Sequence, residues 1–480
     1  MTLKDLQMLQ GLPLNEKIKM TQERIKAWVD RYGEDKVYVS FSGGKDSTVL
    51  LDIVQKMYPS VPAVFVNTGL EFPEIVDFVK SFDNVEIIKP KMNFVEVIKK
   101  YGYPMISKEV SECVQGARKY LTSILNERNT LTDRQTDRPY WQFYRKLCGT
   151  GEYSRDRTFE EYSELYNFEC DRIFGTCRQT SDSAEYKGGG TTENIVDYEE
   201  LANLLNERMR AKTGGANQRL AKMLGMLTNN QTIQANIPSK NRSQFSQERY
   251  KFLLYAPFEI SNKCCNVMKK EPAKRYGKKM GRVPITAQMA AESRLRTQVW
   301  LKNGCNAFNA KKPMSNPMSF WTEQDVLLYI RQNNLPICKV YKEVQTEDES
   351  IGQLNFADMA GMELFDLGNV LLHTTGVNRS GCIFCGFGAH CEKKSRFKLI
   401  DEVSNPALRD FCMRGGAFDN GLWKPDNRGL GYFFVLQWIN IAGGFHIHIP
   451  EYDRYLKEYG NDRVYEELEK AKEIREQTKK

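Results

Sequence analysis

Two groups of residues in this sequence have types and spacings that do chemistry: the run Ser42-Gly43-Gly44-Lys45-Asp46-Ser47, and two cysteine pairs, Cys264 with Cys265 and Cys382 with Cys385. A glycine pair directly after a strand lets the backbone turn tightly and point several N–H groups at one anion. A helix that follows adds the positive end of its dipole, and Lys45 adds a full charge. The spacing differs from the Gly-x-x-x-x-Gly-Lys-Ser/Thr loop of the common NTPases, so hydrolysis of a γ-phosphate is not implied. The bland alternative is an ordinary Gly-Gly turn.

Four thiolates brought together hold either tetrahedral zinc or an iron-sulfur cluster, because both take soft, deprotonated sulfur. Structural zinc usually sits on two Cys-x-x-Cys knuckles. Here Cys264 and Cys265 are adjacent and only Cys382 and Cys385 have that spacing. An adjacent pair is awkward around one small ion and less so around a cubane with four separate corners. Lys269 and Lys270 follow the first pair and would offset an anionic group, or else form a solvated charge run. Cys391 with His390, and Cys148, Cys170 and Cys177, are spare ligand candidates. Cys113, Cys305, Cys338 and Cys412 read as small buried hydrophobes, and His446 and His448 as packed or surface histidines.

The elements that must position these groups follow from periodicity. Val37–Phe41 is a short β-rich run leading straight into the Ser-Gly-Gly segment, and Val49, Leu50, Ile53, Val54 and Met57 recur after it at helical spacing. Strands at Ala63–Val66 and Val85–Ile88 alternate with helices from about Pro73 and Asn93. Such alternation predicts an α/β fold, a doubly wound parallel sheet with ligands beyond the carboxyl ends of its strands. An amphipathic helix over 15–31, with Ile18, Ile25, Trp28 and Val29 on one side, leads in. The sheet resumes at Arg282–Thr286, and Trp321 opens another helix with Thr322 and Asp325 as a capping box. We divide the chain into a helical lead-in (1–34), the first part of a nucleotide-binding domain (35–116), a helical insertion (117–250), the second part with the paired cysteines (251–400), and a helical C-terminal extension (401–480). The last helix, about 463–480, is charged throughout and reads as solvated.

With 480 residues, 41% hydrophobic and 27% charged, the chain has the composition of a multi-module globular protein. No apolar run reaches the roughly 20 residues that span a bilayer, and the start lacks a secretory h-region. A cytoplasmic protein without membrane attachment is expected. Twelve cysteines in so long a chain favour metal or redox chemistry over a disulfide scaffold. The net charge of +8 is permissive of an anionic substrate or nucleic acid.

Over about 35–115 and 250–395 the sequence resembles the PP-loop ATP pyrophosphatases, in particular the branch containing phosphoadenosine phosphosulfate (PAPS) reductase. The resemblance implies an adenine nucleotide α-hydrolase-like fold in which Ser42, Gly43, Gly44, Lys45, Asp46 and Ser47 bind the pyrophosphate part of ATP, taken with Mg2+, or of a sulfonucleotide. Asn67-Thr68-Gly69-Leu-Glu71-Phe-Pro-Glu74 is similar to the family's Asp-Thr-Gly-x-x-x-Pro-Glu segment near the adenine and ribose, with Asn67 in place of Asp. Glu292-Ser293-Arg294-Leu-Arg296 is similar to a segment that clamps phosphate or sulfate, Arg296 matching its last arginine and Met289 replacing its first. On this resemblance Lys45, Asp46 and Arg296 are the expected catalytic residues. The Trp-Thr-x-x-Asp segment at 321–325 and the Leu-Pro segment running from Leu335 to Tyr341 read as packing.

The Cys-Cys pair, a basic residue with Glu-Pro, and a distant Cys-x-x-Cys look like the cluster motif of assimilatory APS reductases. This implies a 4Fe-4S cluster on Cys264, Cys265, Cys382 and Cys385, with zinc as the alternative. Three functions fit. One is an ATP pyrophosphatase that releases AMP and pyrophosphate while sulfur passes to an acceptor, similar to the 4Fe-4S ATPase of bacterial DNA phosphorothioation. It would draw on a cysteine desulfurase or another sulfur donor, and its acceptor would be DNA, tRNA or a small molecule. The second is a thiol-dependent APS or PAPS reductase, and the third a non-catalytic nucleotide sensor. The intact Ser-Gly-Gly-Lys-Asp-Ser loop, and the absence of a Glu-Cys-Gly-x-His tail, favour the first.

Overall fold

In the computed structural model the residues described are 1–118, 215–234, 237–346, 371–377, 380–392, 396–398, 406–419 and 421–478. Most of the expected helical insertion, with Cys148, Cys170 and Cys177, lies outside them. The chain divides into two compact units, Met1–Phe94 with Cys265–Ile383, and Val95–Cys264 with Phe384–Lys480.

The first unit is built on β1 (Val37–Phe41), β2 (Ala63–Val66), β3 (Val85–Ile88), β4 (Val283–Ile285), β5 (Asn306–Ala307) and β6 (Met314–Ser315), in the order β3-β2-β1-β4-β6-β5. Every neighbouring pair is parallel except β5 with β6. The expected doubly wound sheet is therefore present. Val37, Val39 and Phe41 on one face of the central strand and Tyr38 on the other are buried, as a parallel strand covered on both faces requires. Between β1 and β2 runs α3 (Lys45–Met57), which buries Val49, Leu50, Ile53 and Val54; between β2 and β3 runs α4 (Pro73–Lys80). The carboxyl end of β1 thus delivers the chain directly to the glycine pair.

Two further helices bring side chains from far along the sequence to that end of the sheet. The lead-in helix α2 (Leu14–Tyr32), which follows α1 (Leu3–Gln10), buries Ile25, Trp28 and Val29 as its spacing predicts. It also buries Lys17, which the apolar pattern passes over. The Lys17 ammonium meets both carboxylate oxygens of Asp325 at 2.7 Å and the Gln10 carbonyl at 2.7 Å. Asp325 lies in the first turn of α7 (Glu323–Gln332) and accepts from the Thr322 N–H and hydroxyl at 2.7 and 2.8 Å, forming the expected capping box. Helix α7 is therefore pinned at its start, where Glu323 faces the glycine loop. Replacing Thr322 by Ala is expected to cost about 1 kcal/mol, read as a lowered denaturation midpoint. Between them in sequence lie α5 (Glu271–Met280) and α6 (Arg294–Asn303).

The second unit has an aromatic core. Trp423 meets Phe418, Phe433 and Phe434, while Phe258 meets Tyr103, Phe434 and Trp438, with ring centroids 4.6–6.4 Å apart. Arg118 is almost fully buried and donates to the carbonyls of Leu253, Ala256 and Phe258, supplying donors to three carbonyls of one short segment. Helix α8 (Tyr432–Gly443) is apolar all round and buried. The last helix, α9 (Asp462–Thr478), corrects the expectation of a wholly solvated element, because Val464, Leu468 and Ala471 are buried along one face. They recur at i, i+4 and i+7, a narrow stripe hidden among charged residues. Among the described residues no helix is long and apolar enough to cross a membrane.

Candidate functional site

The glycine loop is tied by its own hydroxyls. The Ser42 N–H donates to Ser47 Oγ at 3.1 Å and the two serine oxygens lie 2.9 Å apart; Ser47 and Thr48 donate to the Gly44 carbonyl at 2.9 and 3.0 Å. Gly43 has φ +69°, and a Cβ there would come 2.8 Å from Ile75 and 3.0 Å from Val79, so both conformation and α4 packing demand glycine. Gly44 occupies the N-cap of α3, so the positive end of that helix's dipole opens at the loop, while the Gly44 N–H donates to Ser42 Oγ at 3.3 Å. Lys45 is 5% exposed and its ammonium contacts Glu323 at 2.5 Å. Asp46 follows it in the first turn.

Tyr341 and Ser380 are also in the loop, which the sequence did not indicate. The phenol donates to Ser380 Oγ, and the Lys45 backbone amide stabilises its oxygen. The Lys45 ammonium lies 5.7 Å from the ring centre. Burial pushes the Tyr341 phenol up to about 12, against the opposing pull of Ser380, so it stays protonated at ordinary pH.

After β2 the chain forms a second loop. Asn67 Oδ1 accepts from the Gly69 N–H at 2.9 Å, and Glu71, 8% exposed, accepts from the Thr68 N–H and hydroxyl at 2.9 Å. Gly69 has φ +74° and open space beside it. Glu71 is also 3.4 Å from the Lys269 ammonium. Burial would lower the Lys269 pKa, but the charges of Cys382, Glu71 and Cys265 outweigh it and hold the amine above its ordinary range. The residue before Glu71, Leu70, accepts from the Ile383 N–H at 2.8 Å. One half-buried cation thus links the Thr68–Glu71 loop to Cys265 and Cys382.

Cys264 and Cys385 belong to the second unit, Cys265 and Cys382 to the first. Arg396 donates to the Cys385 carbonyl at 2.9 Å, and Tyr432 to that of Phe384 at 2.8 Å. The Tyr432 phenol is raised by burial and then by Cys412, Cys385 and Cys264 nearby. All four candidate ligands are free thiols. Among the described residues no three His, Cys, Asp or Glu side chains are grouped so as to hold a metal ion. What fits a cluster is the donor chemistry: soft sulfur beside a half-buried cation.

The remaining candidates separate cleanly. Cys412 is fully buried and its thiol is pushed far above the ordinary range; Cys113 is pushed to about 11 by burial, and Cys305 and Cys338 are buried. Only Cys391, among the described cysteines, is exposed. His390 bonds Tyr250 at 3.1 Å and is held below its ordinary pKa by burial and Arg249. His446 and His448 are exposed. Arg296, in the first turn of α6, pairs with Glu292 just before that helix and lines a cavity of about 110 Å³ with Gln288, Trp300, Asn316 and Ser319.

A parallel sheet whose first strand ends in a hydroxyl-tied glycine loop, with a buried lysine at the helix start, defines an adenine nucleotide α-hydrolase-like domain. The profile of the phosphoadenosine phosphosulfate reductase domain matches residues 36–120 and 211–385, more than half of the chain. The chain belongs to that family. An uncharacterized protein of Methanocaldococcus jannaschii is 41% identical over 73 residues, 14% of this chain and 18% of that protein. Adenosine 5'-phosphosulfate reductases of Geobacillus kaustophilus and Staphylococcus epidermidis are each 28% identical, over 98 and 108 residues. These matches take in 19% and 21% of this chain and 41% and 44% of the reductases, so the likeness spans under half of each relative.

Proposed function

We propose that this chain is an ATP pyrophosphatase of sulfur metabolism that supports sulfur transfer to an acceptor. The observation that carries this reading is the complete loop: the α3 dipole and buried Lys45 meet at the glycine pair, where a leaving pyrophosphate would develop charge. An acceptor oxygen attacks the α-phosphorus, the bond to the bridging oxygen breaks, and pyrophosphate leaves with the electron pair. Sulfur at the sulfide level then displaces AMP from the activated acceptor atom, a carbon of a base or a phosphorus of DNA; where a persulfide brings the sulfur, a thiol reductant supplies the two electrons that release it as sulfide. Lys45 stabilises the leaving group and Asp46 supplies a hard oxygen for the Mg2+ of ATP. Asn67, Thr68, Gly69 and Glu71 bound the nucleoside end, and Arg296 is offered to an acceptor anion. Cys264, Cys265, Cys382 and Cys385 would hold the 4Fe-4S cluster, with zinc as the alternative; a bound cluster would supply a thiophilic metal centre for sulfur. A cysteine desulfurase is the expected kind of sulfur donor, and DNA or tRNA the acceptor that a basic chain would tolerate. The catalytic assignment favours the cytoplasm, where ATP is available.

A second reading, the sulfonucleotide reductase, is favoured by the names of the relatives. It needs an exposed, mobile thiolate, and buried Cys412 is unsuited to that role. Incubation with ATP, sulfur donor and nucleic acid is expected to give AMP, pyrophosphate and thiolated nucleosides by mass spectrometry. APS or PAPS with thioredoxin is expected to give no sulfite. Cys412→Ser is expected to leave the ATP chemistry intact; sulfite release at about 1 per second or faster, abolished by Cys391→Ser or Cys412→Ser, would put the reductase first.

A further inference from the structure

We propose that Tyr341 and Ser380 are phosphate-binding residues of the glycine loop, adding two side-chain donors to its backbone amides. This rests on the reading of that loop as a pyrophosphate site and names who completes it. A Cβ built on Gly44 would stand 3.1 Å from Ser380 Oγ, 3.2 Å from Ser42 Oγ and 3.3 Å from Tyr341 Oη. Three hydroxyl oxygens therefore converge on one point beside the backbone that opens α3. The Lys45 amide already addresses the Tyr341 oxygen, and the Lys45 ammonium lies beside the same ring.

Neither side chain is held there by chance of exposure. Tyr341 is 2% exposed, and its backbone N–H is fixed to the Cys338 carbonyl at 3.0 Å. Its own carbonyl takes the Gly376 N–H at 2.9 Å, while Val340 takes that of Val377 at 3.0 Å, which ties the approach to Ser380 to the tyrosine's segment. A Cβ on Gly376 would collide with the Val340 and Tyr341 backbone at 2.1–2.9 Å, so this close pairing requires glycine there. Hydroxyls held in place before an anion arrives donate to it without reorganising. A phosphate oxygen in the loop would accept from the serine hydroxyl and from the phenol, which turns from Ser380 toward the stronger acceptor. Ser380 stands two residues before Cys382, so the same segment carries a phosphate contact and a candidate cluster ligand.

Binding of inorganic pyrophosphate with Mg2+ and, separately, of adenosine is measured by calorimetry on wild type, Tyr341→Phe, Ser380→Ala, the double variant and Lys45→Ala. Tyr341→Phe is expected to weaken pyrophosphate roughly tenfold or more, the scale of one hydrogen bond to a charged group. Adenosine binding and the unfolding midpoint should stay as in wild type. Ser380→Ala should weaken pyrophosphate as well, with the double variant less than additive because the two hydroxyls act together. Pyrophosphate affinity unchanged within about twofold in Tyr341→Phe, while Lys45→Ala loses it, would overturn the inference and leave the loop reading standing. Equal losses for adenosine and pyrophosphate would make Tyr341 structural and overturn it too. No response of pyrophosphate binding to Lys45→Ala would remove the phosphate-loop reading itself.

Discussion

Protein purified without oxygen is expected to carry about four irons per chain, with broad visible absorption from sulfur-to-iron charge transfer. Each of Cys264→Ser, Cys265→Ser, Cys382→Ser and Cys385→Ser is expected to lose most of both signals. The reason is ligand arithmetic: a cubane presents four iron corners, each takes one thiolate, and serine oxygen is a harder donor that holds iron less well. The protein context supports this. Lys269 is half-buried against Cys382, Cys265 and Glu71, so a positive charge already faces the sulfurs, as an anionic cluster needs. Lys269→Met should therefore bind iron more weakly, whereas Cys412→Ser and Cys113→Ser should leave iron content unchanged, since both thiols are buried and neither is among the four proposed ligands. One zinc per chain and no iron, from an anaerobic preparation, would reject the cluster and assign the four thiols a zinc-binding role.

The glycine loop was legible in the sequence because everything that specifies it is local. A five-residue strand, two glycines, a lysine and a helical repeat occupy one stretch of chain, and β1, the loop and α3 appear where that pattern puts them. The capping box of α7 was legible for the same reason. What escaped were partners contributed from far away. Glu323, Tyr341 and Ser380 reach the loop from about three hundred residues downstream; the family-like Trp-Thr-x-x-Asp and Leu-Pro segments contain Glu323 and Tyr341, but in sequence both read as packing. Lys17 escaped because a lysine on an amphipathic helix is expected on the wet face, and its partner Asp325 is not visible in local pattern. The stripe on α9 was within reach of the sequence: Val464, Leu468 and Ala471 have helical spacing, but the surrounding charges dominated the reading. The four cysteines stand out in the sequence as soft donors, and whether they share one group is set by contacts that residue spacing does not encode.

Lys45→Ala is expected to lower kcat/KM for ATP by roughly 30- to 1000-fold, about 2 to 4 kcal/mol, the range for one preorganised donor to a developing charge. The size follows from where the ammonium sits. Lys45 is 5% exposed, so its field on a phosphate oxygen is weakly screened, and its carboxylate partner Glu323 is more than half exposed and can swing into water as phosphate arrives. Because pyrophosphate gains charge as its bond to the α-phosphorus breaks, most of the loss should fall on kcat rather than KM. Glu323→Gln runs the other way: with the competing carboxylate neutralised, phosphate should bind Lys45 more tightly, lowering KM for ATP. Products decide what the lysine is stabilising. With the correct acceptor, wild type should release AMP and pyrophosphate in equal amounts, as ion-exchange chromatography of labelled ATP would show. ADP and orthophosphate as main products would mean that the loop cradles a transferring γ-phosphoryl group, and the pyrophosphatase reading would fall even if the Lys45 effect were as large as expected.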